Sequence, residues 1–226
     1  MHGAYHGGWC WDRLVAELGR LGHRAIAPDL PCDDPRAGHA EYTTAVVNAM
    51  DAGGAGGDAV LVGHSLGGFT IPLVAEQRRV KRLVFLCATP TISGGAANGP
   101  RPRKVTDAFA AMARFRDDAR RILLSPRDAW SAFYHDCDDA TAAWAIARLR
   151  PQNARPMTDR WPLSRWPAAA RSVILAREDR AVRFSSAVEA ARVILEGGEP
   201  IVMEGSHSPF LSRPAELARI LHDLDG

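Results

Sequence analysis

The chain is 226 residues long, 46% hydrophobic and 24% charged, which is the composition of an ordinary folded domain. A net charge of +2 is too small to argue for nucleic acid or an anionic membrane surface as a partner. No apolar run approaches the length of a membrane span and no basic–apolar–small leader opens the chain; Cys10, Cys32, Cys87 and Cys137 form no C-x-x-C pair, so free thiols in the cytoplasm are expected rather than a disulfide framework or a zinc site.

In chain order, the sequence opens on MHGAYHGGWCW, a His-Gly loop with no strand before it. Residues 11–21 carry Leu14, Val15, Leu18 and Leu21 at helical spacing. RAIAPDL (24–30) predicts a short strand ending at Pro28, and Val46, Val47 and Met50 predict a helix over 41–51. AVLVGHS (59–65) is a continuous apolar run into glycine, with a helix expected over 66–77. RLVFLCA (82–88), SVILARE (172–178) and PIVMEGS (200–206) repeat the strand pattern. A last helix over 214–224 carries Leu217, Ile220, Leu221 and Leu224. Strands apolar at successive positions are buried on both faces, as in a parallel sheet, and their alternation with helices gives an α/β fold. Residues 93–167 lack such a run. They begin Gly- and Pro-rich (SGGAANGPRPRK) and hold helical patterns around 105–115 and 138–149. They read as a helical cap inserted into a core formed by 1–92 and 168–226.

GHSLG (63–67) is a G-x-S-x-G flanked by a strand and a helix, the context of a nucleophile elbow. Such a turn leaves room only for hydrogen at Gly63 and Gly67, lifts the Ser65 hydroxyl clear of the sheet, and offers N–H groups to a developing oxyanion. The alternative is a glycine-rich βα turn with an idle serine. A serine nucleophile needs a base, and the base an orienting acid; in this arrangement they follow in the order Ser, Asp/Glu, His. His207, in EGSHSPF, follows the last apolar strand. His135, in the cap, and His222, in the final helix, are the other downstream candidates, each more in keeping with a packing or surface role. Asp179 follows the strand 172–178 and is favoured because TPTISGG, after the strand 82–88, holds no carboxylate. Glu178 is adjacent, and alternation does not separate the two. Asp179 paired only with Arg177 or Arg180 is the structural alternative.

HGAYHGGWCW, APDLP, VGHSLGG, REDRAV and EGSHSPF together resemble the α/β-hydrolase superfamily, over residues 2 to about 90 and from about 170 to the end. More narrowly they resemble the branch of plant methyl esterases, hydroxynitrile lyases and bacterial esterase relatives. The cap phrase FYHDCDDATAAWAIARLRPQ is similar to bacterial members. The resemblance implies a mostly parallel sheet flanked by helices, and an oxyanion hole from the backbone N–H groups of Ala4 and Leu66. It implies no metal or cofactor. His6, Trp9 and Trp11 are expected to shape and pack the opening loop. Hydroxynitrile lyases of this branch carry a threonine where this chain has Gly3 and a lysine where it has Ser208. Only Lys81 and Lys104 occur in the whole chain. Ester hydrolysis through an acyl-enzyme is therefore expected, on small or medium esters with an apolar or aromatic acyl part. The cap aromatics Phe109, Phe115, Trp130, Phe133, Tyr134, Trp144 and Trp161 are shared between the pocket and the cap's own core. A ligand-binding member without turnover, or a lyase-like enzyme, is the second reading.

The resemblance also bears on the opening loop. In that fold a central apolar strand runs into the His-Gly pair, where this chain has only Met1. Each unpaired buried amide beside a missing strand costs about 1–3 kcal/mol. The expectation is a misassigned start, with a GTG valine codon read as Met1 and about five to ten residues upstream. The intact mass of the native protein decides it.

Overall fold

β2 (Arg82–Leu86) and β3 (Ala170–Ala176) show why the strand residues are apolar one after another. Leu83, Phe85, Val173 and Leu175 enter a core shared with Val46, Ile71, Ala187 and Ile194. Val84, Leu86, Ile174 and Ala176 enter a second core with Leu14, Phe210, Leu217 and Leu221. Both faces of the sheet are covered, so neither can be polar. In this computed structural model, which describes residues 1–90, 106–112, 122 and 124–226, the strands are β1 (Val60–His64), β2, β3 and β4 (Ile201–Met203). They pair in that order, all parallel, with Val62 opposite Val84, Val84 opposite Ser172 and Leu175 opposite Val202. The family-like α/β arrangement expected from the sequence is present.

The described helices are α1 (Asp12–Arg20), α2 (His39–Ala52), α3 (Ile71–Ala75), α4 (Asp107–Met112), α5 (Pro126–Ala129), α6 (Asp139–Ile146), α7 (Arg155–Thr158), α8 (Phe184–Ile194), α9 (Pro209–Ser212) and α10 (Pro214–Asp225). α4 to α7 lie between β2 and β3 in the chain. α6 starts where the Asp138 side chain accepts from the Thr141 N–H at 2.8 Å, a cap that satisfies an end donor. Phe115, Lys104 and the Gly- and Pro-rich 93–104 stretch lie outside the described residues.

Two expectations need correction. Residues 23–31 hold no strand. The segment from Arg24 to Pro28 has no paired neighbour, and Ile26 stays 39% exposed; apolar sequence without a ladder partner is not a strand. The helix expected over 66–77 is broken. A 3₁₀ turn covers Ser65–Phe69 and α3 follows. Pro72 has no N–H to give to the Gly68 carbonyl, which ends a continuous helix there.

Candidate active site

Ser65 stands where β1 meets the 3₁₀ turn, with φ at +49°, a left-handed conformation rare for a non-glycine residue. The surroundings hold it there. A Cβ on Gly63 would lie 2.7 Å from the Gly67 oxygen, and one on Gly67 would lie 2.6 Å from the His2 oxygen. Backbone replaces side chain at both positions, which is the close approach the sharp turn demands.

His207 is buried and follows β4. Its Nδ1 lies 2.6 Å from Asp179 Oδ2, and both side chains are nearly closed to solvent, at 2% and 5% exposure. The other Asp179 oxygen, Oδ1, accepts the N–H groups of Ala181 and Val182, each at 2.8 Å. The carboxylate therefore has no rotational freedom to spare. Glu178 is exposed; its N–H donates to the Gly205 oxygen at 3.0 Å and its carbonyl accepts from His135 Nε2 at 3.1 Å. The main chain is thus pinned so that residue 179, not 178, faces the imidazole. His135 is committed to that carbonyl, and His222 lies in α10 with Nδ1 2.8 Å from His23 Nε2, away from Asp179.

Sequence reasoning missed two neighbours of this pair, His64 and Cys87, and left a third, Phe133, unsorted among the cap aromatics. His64, the middle residue of the G-x-S motif, donates Nε2–H to the His207 oxygen at 2.8 Å, and the two rings sit 4.6 Å apart. Its Nδ1 has no hydrogen-bond partner. Phe133 stacks on His207 at 5.5 Å and 27°. Cys87, with φ at +47°, places its thiol beside the carboxylate. Burial, then the Asp179 charge, pushes that thiol well up from its ordinary value. Cys87, Asp179 and His207 each offer a ligand-type atom within 4.8 Å of the others. A zinc bridging Nδ1 and Oδ2 with two bonds of about 2.1 Å at the tetrahedral angle needs roughly 3.4 Å between them. The 2.6 Å separation is that of a strong hydrogen bond instead. Only the G-x-S-x-G turn was legible in advance; the other contacts join residues far apart in the chain.

The opening loop closes over Ser65. A Cβ on Gly3 would lie 3.0 Å from Ser65 Cβ and 2.7 Å from His64 Nδ1. The Gly3 carbonyl is held by His2 Nδ1–H at 2.8 Å and by the His6 N–H at 3.4 Å. In a trans peptide the N–H points opposite to its carbonyl, so the Ala4 N–H faces away from those donors. The Ala4 carbonyl accepts from His6 Nδ1–H at 2.7 Å, and Tyr134 donates its hydroxyl proton to His6 Nε2 at 2.7 Å. Burial lowers the His6 pKa to about 4, and pushes those of His2 and His64 well down. All three rings are neutral at pH 7. Leu66 is buried next to the serine. Trp9 packs edge-on against Trp144, and Trp11 packs tilted against Phe210 at 4.8 Å, as loop packing requires.

The remaining aromatics divide by position. Phe109 lies 5.5 Å from Phe133, beside His207. Trp161 meets Phe69, four residues beyond Ser65, and donates its N–H to the Phe69 oxygen at 3.0 Å. Trp130 is 41% exposed. The four cysteines are free. Among the described residues no helix is long and apolar enough to cross a membrane.

Comparison with known proteins identifies the family and the fold. The model of the family described as "Alpha/beta hydrolase family" matches residues 1–220. The Oryza sativa protein named "Probable esterase PIR7A" is 39% identical over 103 residues, covering 42% of this chain and 39% of the relative, so the match spans about two fifths of that protein. A solved pyrethroid hydrolase, PytH, superposes with a TM-score of 0.79 at 24% identity, covering 99% of this chain and 94% of that one. A methylesterase protein from Arabidopsis, MES16, superposes with a TM-score of 0.75 at 20% identity, covering 99% and 96%. With its match to the family model over nearly its whole length and a fold shared with solved hydrolases, the chain belongs to the alpha/beta hydrolase family and resembles its plant esterase and methylesterase members.

Proposed function

We propose that this chain is a serine esterase that cleaves carboxylic esters through an acyl-enzyme. The observation that carries the reading is the 2.6 Å His207–Asp179 pair, with the His207 ring 4.6 Å from the ring of His64, the residue preceding Ser65. With Nδ1–H given to Asp179, His207 Nε2 is the free basic atom. It takes the Ser65 proton as Oγ attacks the ester carbonyl. The tetrahedral oxyanion is held by the N–H groups of Ala4 and Leu66. His207 then gives that proton to the leaving alcohol, and the acyl group remains on Ser65. Water, deprotonated by the same imidazole, releases the acid and restores the serine. Asp179 fixes the tautomer and stabilises the imidazolium. The neutral state of His64, 4.6 Å from that ring, avoids a second positive charge beside it.

Residues 93–167 serve as the cap. Phe109 and Phe133 form one apolar wall near His207, while Phe69 and Trp161 form another beyond Ser65. Such walls suit small or medium esters with an apolar or aromatic acyl part. Free cysteines fit a cytoplasmic setting. The lyase-like alternative needs a cation at the site, and Lys81 is engaged with Asp225 on α10. Hydrolysis of p-nitrophenyl acetate by the wild type and by Ser65→Ala tests the proposal. A loss of at least about 10³-fold is expected; equal rates leave only a binding protein or an inactive one.

A further inference from the structure

Residues 1–8 are buried with one exception: Ala4 is half-buried. Beside it, Tyr5 has φ at +68°, the left-handed conformation that favours glycine. A bulky residue stays in that conformation only where its surroundings force it. Here both polar groups of its main chain are taken by one short segment between β2 and β3. The Tyr5 carbonyl accepts the Arg150 N–H at 2.7 Å, and the Tyr5 N–H donates to Gln152 Oε1 at 3.2 Å. The main chain of Gln152 is already paired with Ile122, at 2.7 and 2.9 Å, so its side chain supplies the acceptor. Gln152 is fully buried, and its amide has one possible orientation. Nε2 donates to the Asn153 oxygen at 2.8 Å and to the Tyr42 hydroxyl of α2 at 3.1 Å, which leaves Oε1 facing Tyr5.

The Arg150 side chain holds the next peptide. Its Nε and Nη2 donate to the His6 oxygen at 3.3 and 3.1 Å, and Nη2 also donates to the Leu30 oxygen at 3.0 Å. The Gly3 carbonyl is held by His2 and the Ala4 carbonyl by His6, so the carbonyls of residues 3–6 all have partners. Among the described residues the Ala4 N–H has none. The loop is thus fixed at every carbonyl around one donor that is left open, at the one residue of the eight that is partly exposed.

We propose that Gln152 and Arg150 are positioning residues of the oxyanion hole: they lock the Ala4–Tyr5 and His6 peptides so that the Ala4 N–H is aimed at the substrate oxygen. This rests on the esterase reading above. Neither side chain touches the substrate; both act through the main chain of the opening loop. Without the Gln152 acceptor, Tyr5 is free to leave its left-handed conformation, and the peptide that follows the Ala4 donor turns with it. A donor aimed in advance is worth far more to a developing charge than one that must reorganise.

The test uses the full chain with Gln152→Met, Arg150→Lys and Tyr42→Phe. Gln152→Met keeps the length of the side chain and removes the acceptor. Arg150→Lys keeps the charge and loses the two-pronged hold on the His6 oxygen. Tyr42→Phe removes a partner of Gln152 but leaves its bond to Tyr5. For each, kcat and KM for p-nitrophenyl acetate are measured well below the melting temperature. The affinity for a trifluoromethyl ketone is measured beside them; Ser65 adds to its carbonyl and the resulting oxyanion sits against the same donors. Gln152→Met is expected to lower kcat and ketone affinity together by about 10²-fold, with KM within about threefold. Arg150→Lys is expected to lower both by about tenfold, and Tyr42→Phe to leave both within about threefold. A fall in kcat without a matching fall in ketone affinity overturns the proposal, as does a Tyr42→Phe loss equal to that of Gln152→Met. If Gln152→Met does not fold, Arg150→Lys decides: wild-type kcat and ketone affinity there overturn the proposal. Failure of the esterase reading is a separate result, since it shows in the comparison of the wild type with Ser65→Ala before any of these variants is made.

Discussion

Asp179→Asn isolates the role of one hydrogen bond. Asparagine has the same shape, and its Oδ1 keeps the Ala181 and Val182 N–H groups, both at 2.8 Å. Those two donors fix which end of the amide faces inward and leave Nδ2, a donor, opposite His207 Nδ1. Two N–H groups cannot face each other at 2.6 Å, so the imidazole gives up its Nδ1 proton and carries it on Nε2. The atom that must take the Ser65 proton is then already protonated, and general-base catalysis is lost. Tautomer errors of this kind cost about 10⁴-fold in turnover in triad enzymes, which is roughly 5.5 kcal/mol of barrier at 1.36 kcal/mol per factor of ten. Because the cavity is filled and two of the three contacts survive, melting should fall by no more than about 5 °C. The assay is kcat/KM for p-nitrophenyl acetate beside a thermal melt. Glu178→Gln, altering an exposed side chain, should stay within about twofold of wild type. An Asp179→Asn enzyme within tenfold of wild type refutes the reasoning, most directly if Glu178→Gln is the variant that fails.

Three further outcomes follow from the buried loop. His6 is held neutral with its pKa lowered to about 4, against about 6.5 unfolded. Between those values the unfolded chain binds the extra proton, so stability is present above about pH 6.5 and is lost as pH falls toward 4; the loss from His6 alone is about 2 kcal/mol at pH 5. Urea midpoints from pH 7.5 to 4.5 should show it, with a shallower slope in His6→Gln; a flat profile in the wild type contradicts the burial argument. Gly3→Thr puts a branched side chain where even a Cβ would lie 2.7 Å from His64 Nδ1 and 3.0 Å from Ser65 Cβ; kcat should fall about 10²-fold or more, and an unchanged kcat contradicts the crowding. Tyr134→Phe leaves His6 Nε2 without its donor, costing about 1–3 kcal/mol, read as a melting temperature lower by several degrees; an unchanged melt shows that the hydroxyl is not holding the loop.

Much of the sheet was legible because strands covered on both faces cannot hide their composition: VLV, RLVFL and SVIL are apolar at nearly every position, and each forms a strand. RAIAPDL, with Arg24, Pro28 and Asp29 among its seven residues, forms none, because a ladder needs a neighbour and this segment pairs with no strand. Propensity reads one chain segment; pairing is a property of two. Within the site, GHSLG announced its own turn through glycines whose added Cβ atoms would strike backbone. The acid was not separable from its neighbour by sequence, since 178 and 179 differ only in where the Gly205 and His135 contacts turn the main chain. His64, Cys87, Phe133 and Tyr134 were invisible as a set. Tyr134 reaches His6 across 128 positions and His64 reaches His207 across 143. No local pattern encodes such meetings; they exist only once the sheet brings the ends of β1, β2, β3 and β4 to one edge.

The central claim is that Ser65 attacks an ester carbonyl with His207 as its base. Covalent trapping reads that most directly: treat the wild type and His207→Ala with a fluorophosphonate and locate the adduct by peptide mass spectrometry. One adduct per chain, on Ser65, formed in the wild type and at least about 10³-fold more slowly in His207→Ala, is the predicted result. An adduct on another residue, or equal labelling of Ser65 without the histidine, contradicts the account.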